Sequence, residues 1–484
     1  MSPPSSAVPA LSGLVTIGLG LGLALGLGAC PDRTIAEVET TQTKVESKDI
    51  PVTINRDLDI LFLIDKSPTM ADEQASLAAN FPRFMEVLSQ IDGGLPNVHV
   101  GVISQDIGAG GTYVIGTCSG LGDNGRLLST PRVPGCTPPN GAYISDTDPR
   151  DGGARIRNYT GSLADTFTCI ASLGPSGCGF EQHLGSLRKA LDHNPANDGF
   201  LRPNAYLAII IISDEDDCTA SNPHIYDPAP ASVAELGPLA DFRCFEWGWE
   251  CDEGTMTRGA GVYTNCRPRT DSPYLSEPDE VAAFLKTLKA DPRQIIVATL
   301  TGPNALSNPA VVETRVKLDT AHNNVPMVLP SCENGTQSAF PMPRISYFAS
   351  LFPDRNAFYS LCNNDLRAGL TSVAQLIRRV IGNPCFEDAI DTTDLDPANP
   401  GLQPQCAVSE VTAPGSASPH ETNLPRCKMA DPRTPATDTV QPCWYVEEDL
   451  QQCDAFPTKL ALAMYPTDRV TPADTHIVAQ CVTR

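Results

Sequence analysis

The residues with the clearest chemical potential are Asp65-Lys66-Ser67-Pro68-Thr69, which place a carboxylate and two hydroxyls at alternate positions. A loop carrying them between a strand and a helix can aim three oxygens at one point. Such a donor set suits a hard divalent cation, Mg²⁺ first, with Mn²⁺ or Ca²⁺ as alternatives. Mg²⁺ takes oxygen ligands at about 2.0–2.1 Å and keeps several waters. A second apolar run ends in another carboxylate, Asp214. The structural alternative is that Ser67 or Thr69 caps the following helix, with Asp72 and Glu73 favoured in its first turn by the dipole. Asp106 is a further candidate carboxylate. Glu215 and Asp217 read as solvated loop residues, and His183 and His193 as surface histidines.

The elements that must position these groups follow from apolar patterning. Leu58 to Asp65 reads as a buried strand, and Leu77, Phe81, Phe84, Met85 and Leu88 make one face of a helix within 71–91. Val98 to Ile103 is a second strand. Ala205 to Ile212 is apolar throughout, as a central parallel strand covered on both faces requires. Helices at 180–191, 278–290, 345–352 and 365–381, with a strand at 294–300, complete a βα alternation. The expected fold is a doubly wound, mostly parallel α/β sheet over 56–382. Long connections at 105–167, 219–277 and 302–343 should crowd the rim that holds Asp65 and Asp214.

The D-x-S-x-T pattern at Asp65, Ser67 and Thr69 resembles the metal-ion-dependent adhesion site, D-x-S-x-S, of von Willebrand factor type A domains, with Thr69 replacing the last Ser. Ile211-Ile212-Ser213-Asp214 is similar to the family's later strand, whose Asp supports the metal indirectly. The resemblance implies a Rossmann-like sheet, a metal with one open position, and a partner carboxylate that completes its shell. The family also places a Thr in the loop before a middle helix. The corresponding loop, Leu173 to Glu181, has none. Either Ser176 supplies the hydroxyl or Glu181 supplies a carboxylate, which would make the site more negative. The segments 213–218 and 177–181 resemble those of Cys-rich type A lipoproteins of Gram-negative bacteria.

The compartment is readable from the ends and the cysteines. Residues 1–29 carry no charge, and Leu27-Gly28-Ala29-Cys30 resembles a bacterial lipoprotein cleavage box, with Cys30 as the lipidated residue. An uncleaved apolar anchor is the alternative. Residues 30–55 form a polar tether. Of 17 Cys, all but Cys30 divide into ten in 56–382 and six in 383–484, both even, with no Cys-x-x-Cys; disulfides are expected. Short spacing favours the pairs Cys118–Cys136 and Cys169–Cys178. Residues 383–484 read as a small Cys-rich β module. There Asp391, Asp394, Asp396 and Asn399 form a weak Ca²⁺ candidate. Trp247, Trp249 and Trp444 are expected in partial cores.

A net charge of −23 argues against generic nucleic-acid binding. The chain carries no His-Glu-x-x-His, Gly-x-Ser-x-Gly or phosphate-binding loop motif. The expectation is a non-enzymatic, lipid-anchored envelope protein, in the outer membrane and facing periplasm or surface, that binds a protein or surface ligand through a divalent cation. The alternative is a metal-independent structural or assembly component of the envelope.

Overall fold

The structure, a computed structural model, describes residues 45–51 and 56–483 except 92–93, 150–153, 290, 304–312, 321–323, 335–336, 364, 383, 387, 394–395, 413–419, 451–452, 454–455 and 467–474. The expected leader, Cys30 and most of the tether lie outside the described residues.

A seven-stranded sheet forms the centre. Its strands are β1 (Asp57–Ile64), β2 (Asn97–Ser104), β3 (Ile144–Thr147), β4 (Ile156–Arg157), β5 (Tyr206–Ser213), β6 (Ile295–Thr301) and β7 (Asn356–Ser360). They lie in the order β7-β6-β5-β1-β2-β3-β4, with β7 through β2 parallel and β3 and β4 antiparallel. The helices are α1 (Ala71–Leu88), α2 (Leu163–Ala171), α3 (His183–Leu191), α4 (Pro278–Lys286), α5 (Pro343–Ser350) and α6 (Leu366–Gly382).

Strand alternation sorts the core into two layers. Leu58, Ile60, Phe62, Ile210 and Ile212 pack with Phe81 and Phe84 of α1, Phe167 of α2 and Ile377 of α6. Leu61, Leu63, Ile209 and Ile211 pack on the opposite face with Leu187 of α3, Leu285 of α4 and Phe348 of α5. Both faces are covered, which is why β1 and β5 read as continuous apolar runs. Each fully buried large side chain contributes about 1.5–3 kcal/mol. The sheet is therefore a rigid platform for whatever its carboxyl ends carry.

From β1 the chain places β2 on one side and β5 on the other. The carboxyl ends of β1 and β5 thus flank the topological switch point, where open α/β sheets form their ligand crevice. Asp65 N–H donates to Ile212 O at 2.9 Å, extending the β1/β5 pairing to the first residue past β1.

Eight disulfides use the ten and six cysteines as five and three pairs, in keeping with the even division. The two expected short-loop pairs are exchanged. Cys118 pairs with Cys178 and Cys136 with Cys169. The reason is that the loop after β2 folds back over the α2–α3 connection, where Thr117 Oγ1 donates to Gly177 O at 2.5 Å; Cys136 is left beside α2.

Beyond α6, Thr475–Val482, Cys406–Thr412 and His420–Asn423 form an antiparallel sheet, and Cys443–Glu448 pairs with Leu460–Tyr465. Phe386, Val408, Trp444, Leu462 and Ile477 make its core. Part of the expected tether belongs here: Val45–Pro51 pairs antiparallel with Thr475–Val482 along its whole length. An open sheet edge presents unpaired N–H and C=O groups that take such a strand.

The Ca²⁺ candidate of this region is spent on local turns. Asp391 Oδ1 accepts from Thr393 N–H, Asp396 Oδ1 from Ala398 N–H, and Asn399 Oδ1 from Met429 N–H; Asp394 lies outside the described residues. Trp249 and Trp444 are buried as expected, and Trp247 packs edge-on against Tyr274.

Candidate functional site

The motif loop runs from the end of β1 through a short 3-10 turn, Pro68–Met70, into α1. Asp65 is fully buried, and both of its carboxylate oxygens are engaged. Oδ1 accepts Ser67 N–H at 2.7 Å, and Oδ2 accepts the Ser213 hydroxyl at 2.7 Å. Gln74 of α1 donates to Asp65 O at 2.9 Å and accepts Gly174 N–H at 2.8 Å, tying the loop before α3 to the motif. Ser67 Oγ and Thr69 Oγ1 lie 3.1 Å apart.

Helix capping is not what these hydroxyls do. Ser67 precedes the 3-10 turn without a side-chain cap bond, and α1 begins after Met70, again without one. Thr69 instead lies beside Asp214, where its hydroxyl favours the ionised carboxylate. Asp65, Ser67, Thr69, Ser213 and Asp214 therefore form one connected polar group across the switch point. Thr69 is exposed, so the group opens to solvent there.

Lys66, in the middle of the motif, turns away. Its ammonium pairs with Asp123 at 2.6 Å and Asp106 at 3.1 Å, and its carbonyl accepts Gly177 N–H at 2.8 Å. Asp106 is thus a partner of Lys66 and not a member of the rim group.

The carboxyl groups around Asp65 are buried and mutually repulsive. Asp214, 1 % exposed, has one oxygen, Oδ1, with no hydrogen-bond partner, and burial with the Asp65 charge pushes its pKa up to about 8. Burial, then Glu215 and Asp65, hold Glu181 well above the usual carboxylate range, and its Oε1 is also unpartnered. Glu215 is raised by burial, then by Asp241, Asp214 and Asp65. Glu73 on α1, 2 % exposed, is raised by burial, Asp72 and Asp65, and its Oε2 lacks a partner. Buried ionised carboxylates are ordinarily paired or coordinate a metal. Among the described residues no ion pair to Lys, Arg or His is formed by Asp65, Glu73, Glu181, Asp214 or Glu215.

The structure brings Glu181, but not Ser176, into this buried group; Ser176 is exposed on its loop. His183 is no surface residue. It is fully buried with both ring nitrogens unpartnered, and burial lowers its pKa, whereas His193 is exposed. The acidic run after β5 divides by role. Asp216 accepts from Trp249 Nε1 and from the N–H groups of Arg344 and Ile345 at the start of α5. Asp217 accepts Leu184 N–H at the start of α3 and pairs with Arg344 at 3.0 Å. Glu215 and Asp217 are therefore not solvated: the loop is folded back under α3 and α5, whose amino ends need acceptors. Sequence reasoning missed Glu73, Glu215 and His183 as members of the rim, although Glu73 falls at the buried face of α1 when its helical period is followed. Among the described residues no three His, Cys, Asp or Glu side chains are arranged to hold a metal by themselves. A cation here would depend on the hydroxyls of Ser67 and Thr69 as well.

No protein-family model matches the chain, and no curated protein matches it. Among solved structures, the open conformation of the pilus adhesin SpaC from Lactobacillus rhamnosus GG overlaps at 12% identity and a TM-score of 0.31, covering 90% of this chain and 40% of that one. The human COPII-coat protein Sec24c overlaps at 6% identity and 0.29, covering 90% and 46%. The pilus adhesin RrgA from Streptococcus pneumoniae overlaps at 10% identity and 0.25, covering 92% and 60%. The chain thus spans less than two thirds of each. Overlap at this level assigns neither a fold family nor an activity.

Proposed function

We propose that the protein is a non-enzymatic, lipid-anchored component of the cell envelope whose type A-like domain binds a protein or surface ligand through a divalent cation. Asp65, Ser67 and Thr69 would hold the ion, with Asp214 and Glu181 supplying further negative charge and Mg²⁺ as the expected metal. The cation would polarise and hold an oxygen of the ligand at the side where Thr69 meets solvent. The observation that carries this reading is the connected group itself: two hydroxyls that cap no helix, joined to buried carboxylates with orphaned oxygens. Eight disulfides support an oxidising, extracytoplasmic location. Cys30 is the proposed lipid attachment point.

Calorimetric titration of Mg²⁺ into the oxidised, full-length chain tests the reading. Binding in the parent and none in Asp65→Ala is expected, while unchanged binding in that variant would sink it. The metal-independent assembly role draws on the lack of any all-His/Cys/Asp/Glu cluster of three among the described residues. It predicts that neither chain binds Mg²⁺ and that partner binding ignores chelator.

A further inference from the structure

We infer that Lys66 is a positioning residue of the Asp65 site, locking the loop that presents Asp65 and Ser67 to the two loops beside it. This rests on the cation reading of the rim and names the residue that shapes it. Lys66 stands between Asp65 and Ser67 and is 6 % exposed. Both peptide groups that join Asp65 to Ser67 are held through it. Lys66 N–H donates to Gln105 Oε1 at 3.1 Å, and Lys66 O accepts Gly177 N–H at 2.8 Å. Gly177 leaves no slack, since a Cβ there would lie 2.5 Å from Lys66 Cγ and 3.0 Å from Lys66 O. The next residue, Cys178, is stapled to the loop after β2 by its disulfide to Cys118.

The other end of the side chain is clamped as well. The ammonium lies 2.6 Å from Asp123 Oδ2 and 3.1 Å from Asp106 Oδ2. Asp123 Oδ2 also accepts the Ser104 hydroxyl at 2.6 Å, and Asp123 N–H donates to Asp106 O at 2.8 Å. Asp106 Oδ1 accepts Gly108 N–H at 3.0 Å. Ser104 ends β2 and is in register with Ile64, the last residue of β1, so the clamp stands on the sheet one strand from the motif. By charge alone a lysine here opposes a divalent cation, because like charges repel. A methionine would fill the same buried stem without that repulsion. What only the ammonium adds is geometric: its three donors hold two carboxylates of the loop after β2 at once. Groups that orient metal ligands in this way set affinity without touching the ion.

The test is calorimetric titration of Mg²⁺ into the oxidised full-length chain, for the parent, Lys66→Arg, Lys66→Met and Lys66→Met/Asp123→Asn, each with its thermal midpoint in chelator. The double variant removes one charge of each sign and leaves the local net charge unchanged. Its affinity therefore reports geometry, and it stays informative where the bare carboxylates of Lys66→Met prevent folding. The expected result is binding about 10–100-fold weaker in Lys66→Met and in the double variant, with most of the affinity kept in Lys66→Arg, which preserves the paired cation. Binding in the double variant as tight as in the parent overturns the assignment and leaves the Asp65 reading intact. So does tighter binding in Lys66→Met, which is what loss of a repelling charge alone would give. Affinity and chelator midpoint falling as far in Lys66→Arg as in the double variant would make Lys66 a purely structural residue and also overturn it. No binding in the parent overturns both readings.

Discussion

The two ends of the central sheet treat buried carboxylates in opposite ways. At the amino ends, Asp59 of β1 is fully buried and fully answered. Arg202 donates to it from Nε and from its backbone N–H, both at 2.7 Å, Lys289 Nζ lies at 3.8 Å, and His99 Nδ1 at 3.7 Å. At the carboxyl ends, six residues beyond Asp59 and just past the same strand, Asp65 sits among Asp214, Glu181, Glu215 and Glu73 with no basic side chain paired to any of them among the described residues. Burial raises the pKa at both ends. Only at the amino end does the chain supply the opposing charge itself. On the proposed reading, a fold that solves the problem once and leaves it open at the switch point keeps the second place for a charge from outside.

The comparison breaks most visibly at Asp59. Removing one partner of a buried ion pair typically costs about 3–5 kcal/mol, so Asp59→Ala should lower the unfolding free energy read from denaturant titration by about that amount, because Arg202 and Lys289 are left without it. At the rim the largest change should appear in metal affinity. Ser213→Ala frees Asp65 Oδ2 from the hydroxyl that orients it and should weaken Mg²⁺ binding about 10–100-fold by calorimetry, the usual cost of losing such a supporting contact.

Asp214→Asn sharpens the contrast in sign. Measured in chelator at neutral pH it should leave stability within about 1 kcal/mol of the parent, since a carboxyl whose pKa is pushed up to about 8 is already largely neutral there and the change breaks no ion pair. A loss as large as that of Asp59→Ala would show that Asp214 has a structural partner. The smallest effect concerns His99, which contacts Phe200 O at Nδ1 and faces Asp59, Asp57, Arg202 and Tyr143. Burial, then Arg202, lowers its pKa below the ordinary 6.5. The unfolded chain therefore takes up a proton that the folded chain refuses, and stability should fall as the pH drops below about 6.5. His99→Gln should flatten that slope in denaturant unfolding followed across pH.

How much of this was legible in the sequence depends on burial. Strands β1 and β5 announce themselves because both faces are covered, and their ends point to Asp65 and Asp214. The hairpin β3/β4, helix α2 and edge strand β7 are short or partly exposed and leave weak periodicity. Disulfide pairing was not legible because it depends on where long loops come to rest: Cys118 meets a residue 60 positions away in preference to one 18 away. Within the run Asp214 to Asp217, the sequence reads Glu215 and Asp217 as solvated loop residues. The four carboxylates of the run in fact have separate duties, two at the rim and two at helix starts, which only the packing of α3 and α5 reveals.

The most direct test of the central claim is thermal unfolding of the oxidised full-length chain in chelator and in saturating Mg²⁺, beside Asp65→Ala. A ligand at about one hundred times its Kd stabilises the form that binds it by ~2.7 kcal/mol, so the parent midpoint should rise with Mg²⁺ while the variant stays where it was. Equal shifts in both chains, or none in the parent, would contradict a cation site built on Asp65.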